Sequence, residues 1–333
     1  MNTKHMWGAV VPAAVAAALL VVAPAAAQAS FPVKLSGFSG QNLRGGPVAV
    51  PSYQIAFFTQ QQGTASGGVL AKSRLTTTLT GISAETMRGL ADEAYADLVA
   101  QLTAAGVPMV AEAETQAALA ASGAELTPGN AEVTRIGAGV TIGAGVKKAY
   151  AAYGAQRAPM IKGLHAPGNA TGFAGMGALA VQGRLGTVAR SQQSILVAPS
   201  LVIDFARTDA ATGRDLMGRA SASVSNKLQF GLMGVSMAAL STSMNNGRAS
   251  TPGMMRMTKD LTTPAPFGTL ATGEGAVRAL SVTSVASPYY IDQDTARGDA
   301  VIVDPAAWTA LVRDAYRAFN AAVVLEIRKA QGL

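Results

Sequence analysis

In residues 223 to 237, SVSNKLQFGLMGVSM, the apolar side chains Val224, Leu228, Phe230 and Leu232 share one parity, and Ser223, Ser225, Lys227 and Gln229 share the other. Successive side chains leave opposite faces of a strand, so this period of two predicts β structure with one apolar and one polar face. At Met233-Gly234 the apolar parity switches to Met233, Val235 and Met237, which predicts a bulge or hairpin tip. Two environments suit such a strand. It can cover a protein core with its other face in water, or it can face lipid outside and a wet lumen inside.

A period of 3.6 takes over in two places. Ser83 is placed as an N-cap, and Met87, Leu90, Ala94, Leu98 and Leu102 recur at spacings of three and four before Gly106 ends the run. Near the C-terminus, Asp304 and Pro305 supply the N-cap and first helical position. A broad apolar stripe follows through Trp308, Leu311, Val312, Ala315, Phe319, Val323 and Ile327. Val107 to Val110 reads as a short strand and Glu112 to Ser122 as a further helix. Strands are expected at 48–59, with Pro51 pushing regular pairing to the later part, at 73–79, and at 195–207. The polar or Gly-rich stretches 60–68, 208–215 (TDAATGRD) and 245–275 read as loops and turns, and 277–285 as a returning strand. Residues 125–192 carry no clear period. Strand, helix, strand and helix in this order predict an α+β fold, a helix-covered sheet with amphipathic β-hairpin segments and a long C-terminal helix.

The first residues set the compartment. Lys4 and His5 precede an apolar run from Trp7 to Val22, and small residues ending in Ala27-Gln28-Ala29 follow it, the order of a cleavable secretory signal. The expected organisation is a signal peptide at 1–29, a flexible Gly- and Ser-rich arm at 30–47, and a single elaborated α+β domain at 48–333. That domain carries β-hairpin insertions near 165–195 and 220–245. Beyond the leader no segment reaches about 18 consecutive apolar residues, whereas strands of about 9 to 11 alternating residues remain able to span a bilayer. The expected location is the periplasm or outer membrane.

Composition then narrows the chemistry. With Cys 0 there is no disulfide, no thiol nucleophile and no cysteine for a lipid anchor. The net charge of +7 falls by one when Lys4 leaves with the leader, and the remaining charges are dispersed. No Lys/Arg cluster is interleaved with aromatics, so nucleic acid is not an expected partner. An anionic envelope surface suits the mild basic excess better.

Candidate motifs fail on spacing. In IGAGVTIGAGVKK, residues 136–148, glycines precede Lys147 and Lys148, but Val146 stands between Gly145 and the lysines and no Ser or Thr follows, so a Gly-rich strand pair or a helix-packing surface fits better than a phosphate loop. Gly175, Gly177 and Ala180 make a GxGxxA pattern that no apolar strand precedes. His165 is the one histidine left after the leader, without a GxSxG elbow. Asp292, Asp294 and Asp299 suggest a calcium loop, yet Arg297 stands where glycine is needed and Val303 where glutamate is needed. Asp204, Asp209 and Asp215 flank one turn, as a carboxylate pair would. No catalytic residue, metal ligand or cofactor site is assigned.

Four segments carry a resemblance: DEAYADLVAQLTAAGVPMVAEAETQAAL, LVIDFARTDAATGRDL, SASVSNKLQFGLMGV and DPAAWTALVRDAYRAFNAAVVLEIRK. In their order they resemble the curli secretion channel family, the CsgG-like outer-membrane proteins, over roughly two-thirds of the chain. The resemblance implies a homo-oligomer whose subunits lend β-hairpins to a shared barrel above a periplasmic α/β domain. It would turn Val224, Leu228, Phe230 and Leu232 to lipid and Ser225, Lys227 and Gln229 to the lumen, with a companion hairpin within 165–195. The expected function is that of an exported, non-enzymatic envelope protein, an oligomeric secretion or assembly component that self-associates and meets outer-membrane lipid or exported cargo. A soluble periplasmic binding or scaffolding protein, and a hydrolase using Asp204, Asp209 or His165, are the alternatives.

Overall fold

The computed structural model describes residues 31–36, 43, 46–67, 71–127, 133–141, 144–164, 175–214, 217, 219–244, 249–282 and 298–333. Its elements run β1 (Val33–Ser36), β2 (Val48–Ala49), β3 (Gln54–Ser66), β4 (Lys72–Thr80), α1 (Ala84–Ala104), α2 (Glu112–Ala121), β5 (Leu126–Thr127), β6 (Val133–Thr141), β7 (Ala144–Gly154) and β8 (Met160–Ile161). They continue through α3 (Gly175–Gln192), β9 (Ile195–Arg214), β10 (Ala220–Leu232), β11 (Met237–Met244), β12 (Ala249–Met257), β13 (Leu261–Thr263), β14 (Gly268–Ala271), α4 (Gly273–Val282), β15 (Asp299–Val303) and α5 (Pro305–Gln331). The chain divides into two compact units, Met1–Phe31 and Pro32–Leu333, and all of these elements lie in the second. The fold class is α+β, as the periodicities predict.

The two strongest helices form for the reasons legible in the sequence. The Ser83 side chain accepts from the Thr86 N–H at the start of α1, and Gly106 follows its end in the left-handed region at φ 72. At α5, the Asp304 carboxylate accepts from the Ala306 and Ala307 N–H groups, and Gly332 closes the other end at φ 74. The two helices pair. Asn320 of α5 donates to the Ala94 carbonyl and the Asp97 carboxylate, and Arg313 grips Glu93 with two bonds of 2.7 and 2.8 Å. Together they meet β3 and β7, where Phe57 lies 5.3 Å from Trp308 and the Tyr53 hydroxyl donates to Asn320. A second apolar cluster joins Leu119 of α2, Val181, Leu185 and Val188 of α3, and Leu196 of β9.

Thirteen strands make the main sheet, in the order β1-β12-β11-β9-β3-β4-β15-β14, with β2, β6, β7, β10 and β13 paired off that path; β5 and β8 form a separate pair. Two long strands organise it. Along one edge of β3 runs β7, antiparallel from Gln54↔Gly154 to Ala65↔Ala144. The other edge changes partner: β9 pairs in parallel at Gln54–Phe57, and β4 pairs antiparallel at Gln60–Ser66. At that change β9 leaves β3. From there to Arg214 its one strand partner among the described residues is β10, so the sheet forks and β9 with β10 becomes a two-stranded ribbon. On the same edge of β9, β10 ends at Leu232↔Ile203 and β11 begins at Met237↔Ser200. Met233 to Ser236 is therefore an excursion between two collinear pairings, the bulge that the parity switch predicted.

Several expected boundaries move, each for a local reason. The polar stretch after Thr59 is strand, because Gln60 and Gln62 donate across to Thr78 and Thr76 of β4 and need no water. The segment TDAATGR is strand because Arg207 to Arg214 pairs residue by residue with Ala220 to Lys227. Within 245–275 there are β12, β13 and β14 in place of one loop, and Val33–Ser36 of the expected flexible arm pairs with β12. Residues Val107–Val110 shrink to a single bridge between Met109 and Val48. Around 277 a helix, α4, replaces the expected strand: Ala276 is buried and its neighbour Val277 exposed, which suits a short apolar run of either period. The hairpin expected within 165–195 is overturned over 175–192, where α3 buries Val181, Leu185 and Val188 at helical spacing. Small Gly and Ala residues had hidden that period. Residues 165–174 lie outside the described residues.

Candidate functional site

The fork leaves an interior that is polar. Asp204 sits on β9 immediately after the last β3 partner, and the residue is 4 % exposed. Lys148 reaches it from β7 at 2.5 Å, and Gln61 reaches it from β3 by donating to Oδ1, while also donating to the Ala206 carbonyl at 2.8 Å. The side chain of Gln61 thus replaces the backbone ladder where the strands part. Farther out, the single hydroxyl proton of Thr208 lies between Gln61 Oε1 at 2.8 Å and Asn226 Oδ1 at 2.7 Å, and Asn226 of β10 donates to Thr77 Oγ1 of β4. A continuous hydrogen-bonded seam from β7, β3 and β4 therefore holds the ribbon down. Close approach is made possible by Gly63: a Cβ there would stand 2.4 Å from Val224 Cγ1 and 2.8 Å from Thr208 Cγ2.

Electrostatics at the fork pull in opposite directions. Burial pushes the Asp204 carboxyl above its ordinary value, and the Lys148 ammonium pulls it back only in part. Lys148 also lies 4.9 Å over the Phe58 ring, so its charge is held from two sides. Beside the pair opens a cavity of ≈ 340 Å³ lined by Lys148, Asp204, Thr208, Gln229, Met233 and Thr262.

The residues singled out from the sequence separate. Asp204 faces the interior, whereas Asp209 has the opposite strand parity and pairs with Arg207 at 2.9 Å, so these two carboxylates do not share a cleft. Asp215, His165, Asp292 and Asp294 lie outside the described residues, and Asp299 begins β15 with its carboxyl raised by burial. The GAGV repeat is a strand pair, β6 against β7, with Lys147 exposed and Lys148 turned inward. Gly175, Gly177 and Ala180 open α3. Of the expected lipid-facing set, Phe230 and Leu232 are 4 % and 2 % exposed, with Phe230 packed edge-on to Phe267; they belong to the chain's own core and have no lipid face. Val224 turns to Gly63 and Leu228 is half-buried on the same parity. Ser225 and Lys227 are exposed and Gln229 half-buried beside the cavity. The sequence reading missed Gln61, Thr77, Thr208 and Asn226. The runs QQQ at 60–62 and TTT at 76–78 were the available signal, since antiparallel register sets them opposite one another.

Among the described residues no three His, Cys, Asp or Glu side chains group closely enough to hold a metal ion, and no helix is long and apolar enough to cross a membrane. Compared with known proteins, the chain matches no family model, no curated protein and no solved structure.

Proposed function

We propose that the chain is an exported, non-enzymatic envelope protein that works as a self-associating outer-membrane or periplasmic assembly component of the curli-channel kind. The observation that carries this reading is the β9–β10 ribbon. Beyond the fork it runs from Ala206 to Leu228 with each strand paired to the other alone among the described residues, which leaves two long unpaired edges. Long open edges are templates for pairing with another chain, and a two-stranded ribbon is marginal until something covers it. In this reading the companion hairpin is β6 with β7, whose β7 is paired to β3 along its length and whose β6 has an outer edge unpaired among the described residues. Edges of this length on two hairpins suit a sheet continued from subunit to subunit, closed by a ring.

A soluble periplasmic binding protein is the second reading, favoured by the cavity at the fork, whose volume is at the lower end for small-molecule sites. Fractionation separates the two. The mature protein should pellet with envelope membranes and need detergent for release. A variant in which residues 207–227 are replaced by a two-glycine turn joins Ala206 to its partner Leu228 and should appear in the buffer-soluble fraction. If the unaltered protein is wholly buffer-soluble, the assembly reading falls and the binding protein takes its place.

A further inference from the structure

The ribbon is attached to the body in a way that the rest of the sheet is not. Residues Ile195 to Ala206 of β9 are buried throughout, and Arg207 to Arg214 are half-buried or exposed. Inside the fork the contacts among the described residues include the Lys148–Asp204 pair, the bonds of Gln61, Thr208, Asn226 and Thr77, a hydrogen bond between Asn226 and Asp299 of β15, and Val224 lying over Gly63. Water can replace each of those polar bonds at small net cost, because a hydrogen bond contributes little once the alternative partner is solvent. An apolar interface offers no such replacement. Lifting the ribbon would also return Asp204 and Lys148 to water, and desolvation is what holds the Asp204 carboxyl away from its ordinary value. Nothing in β11, α3 or the α1–α5 pair need move, since β9 keeps its partners from Ile195 to Ile203.

We propose that the β9–β10 ribbon is a stowed arm, hinged where β9 leaves β3 and fastened by the polar seam, which lifts as a unit to offer its concealed face and edges to a second copy of this chain. The partner in this inference rests on the assembly reading above; the lifting does not. The concealed face carries Val224 and Leu228 with Asn226 between them, all half-buried, so it stays covered while the chain is alone.

Hydrogen exchange on the monomer at low concentration tests the hinge without any partner. Amides of 207–214 and 220–229 should exchange at least about a hundredfold faster than those of 195–203, as a sub-global opening requires. The same protein with Thr77→Cys and Asn226→Cys, in a chain that has Cys 0, should form a disulfide that abolishes this contrast and blocks assembly, with reduction restoring both. Equal protection of the two halves of β9 in the unaltered protein overturns the hinge, whether or not the double variant folds. An arm that opens in the monomer while neither the oxidised nor the reduced form assembles keeps the hinge and removes the second copy as its partner.

Discussion

Strand β9 passes through two kinds of surroundings without a break. Its first half lies between β3 on one edge and β11 on the other, with Leu196 and Ala198 in the cluster that α3 covers. Its second half has one strand partner among the described residues, β10, and meets the body through amide, hydroxyl and ionic groups. Burial of apolar area is non-directional and gives up its energy only when water enters, whereas a seam of hydrogen bonds exchanges one partner for another. The same strand can therefore be anchored at one end and detachable at the other.

Substitutions should separate the two regions by size of effect. Trp308→Ala removes the largest side chain from the helix-covered half, where it stacks on Phe57, and should cost about 3 to 5 kcal/mol in a denaturant titration. Lys148→Met at the fork strands the Asp204 carboxylate, which should cost about 3 kcal/mol at neutral pH. Combining it with Asp204→Asn should recover nearly all of that, because a buried pair is replaced by neutral groups. Gly63→Val should push on Val224 and Thr208 and cost about 1 to 3 kcal/mol by overpacking, with the loss of amide protection confined to 207–229. If that loss spreads into β11, the ribbon is part of the main core and the comparison fails.

Two carboxylates sharpen the contrast through pH. The raised Asp204 holds a proton in the folded chain that the unfolded chain has already lost, so its contribution makes stability fall as pH rises from 3.8 through its folded value. Glu93, on the surface of α1, is lowered by the Arg313 hydrogen bond, so its contribution is present above 4.5 and is lost as pH falls through its folded value. Asp204→Asn should remove the first slope and leave the second. Arg313→Ala should remove the second at a cost below about 1 kcal/mol, since both partners are substantially solvated.

The helices α1 and α5 and the alternation of β10 were legible because caps and periodicity are local properties. The fork was not. Gln60 to Gln62 look like a loop until Thr76 to Thr78 are known to lie opposite them, and TDAATGR looks like a turn until Ala220 to Asn226 pair with it. The apolar parity of β10 was read correctly, but parity alone does not say what it faces: for Phe230 the answer is Phe267, from a segment that reads as loop. In α3, glycines and alanines on both faces left too little contrast between apolar and polar positions for a helical period to stand out.

The most direct test of the proposed assembly is the mass of the expressed protein, recovered from both the membrane and the buffer-soluble fractions in mild detergent and measured by light scattering on a sizing column. A discrete assembly of many subunits is expected, which the 207–227 replacement reduces to a monomer. A monomer from the unaltered protein, with or without detergent, would contradict it.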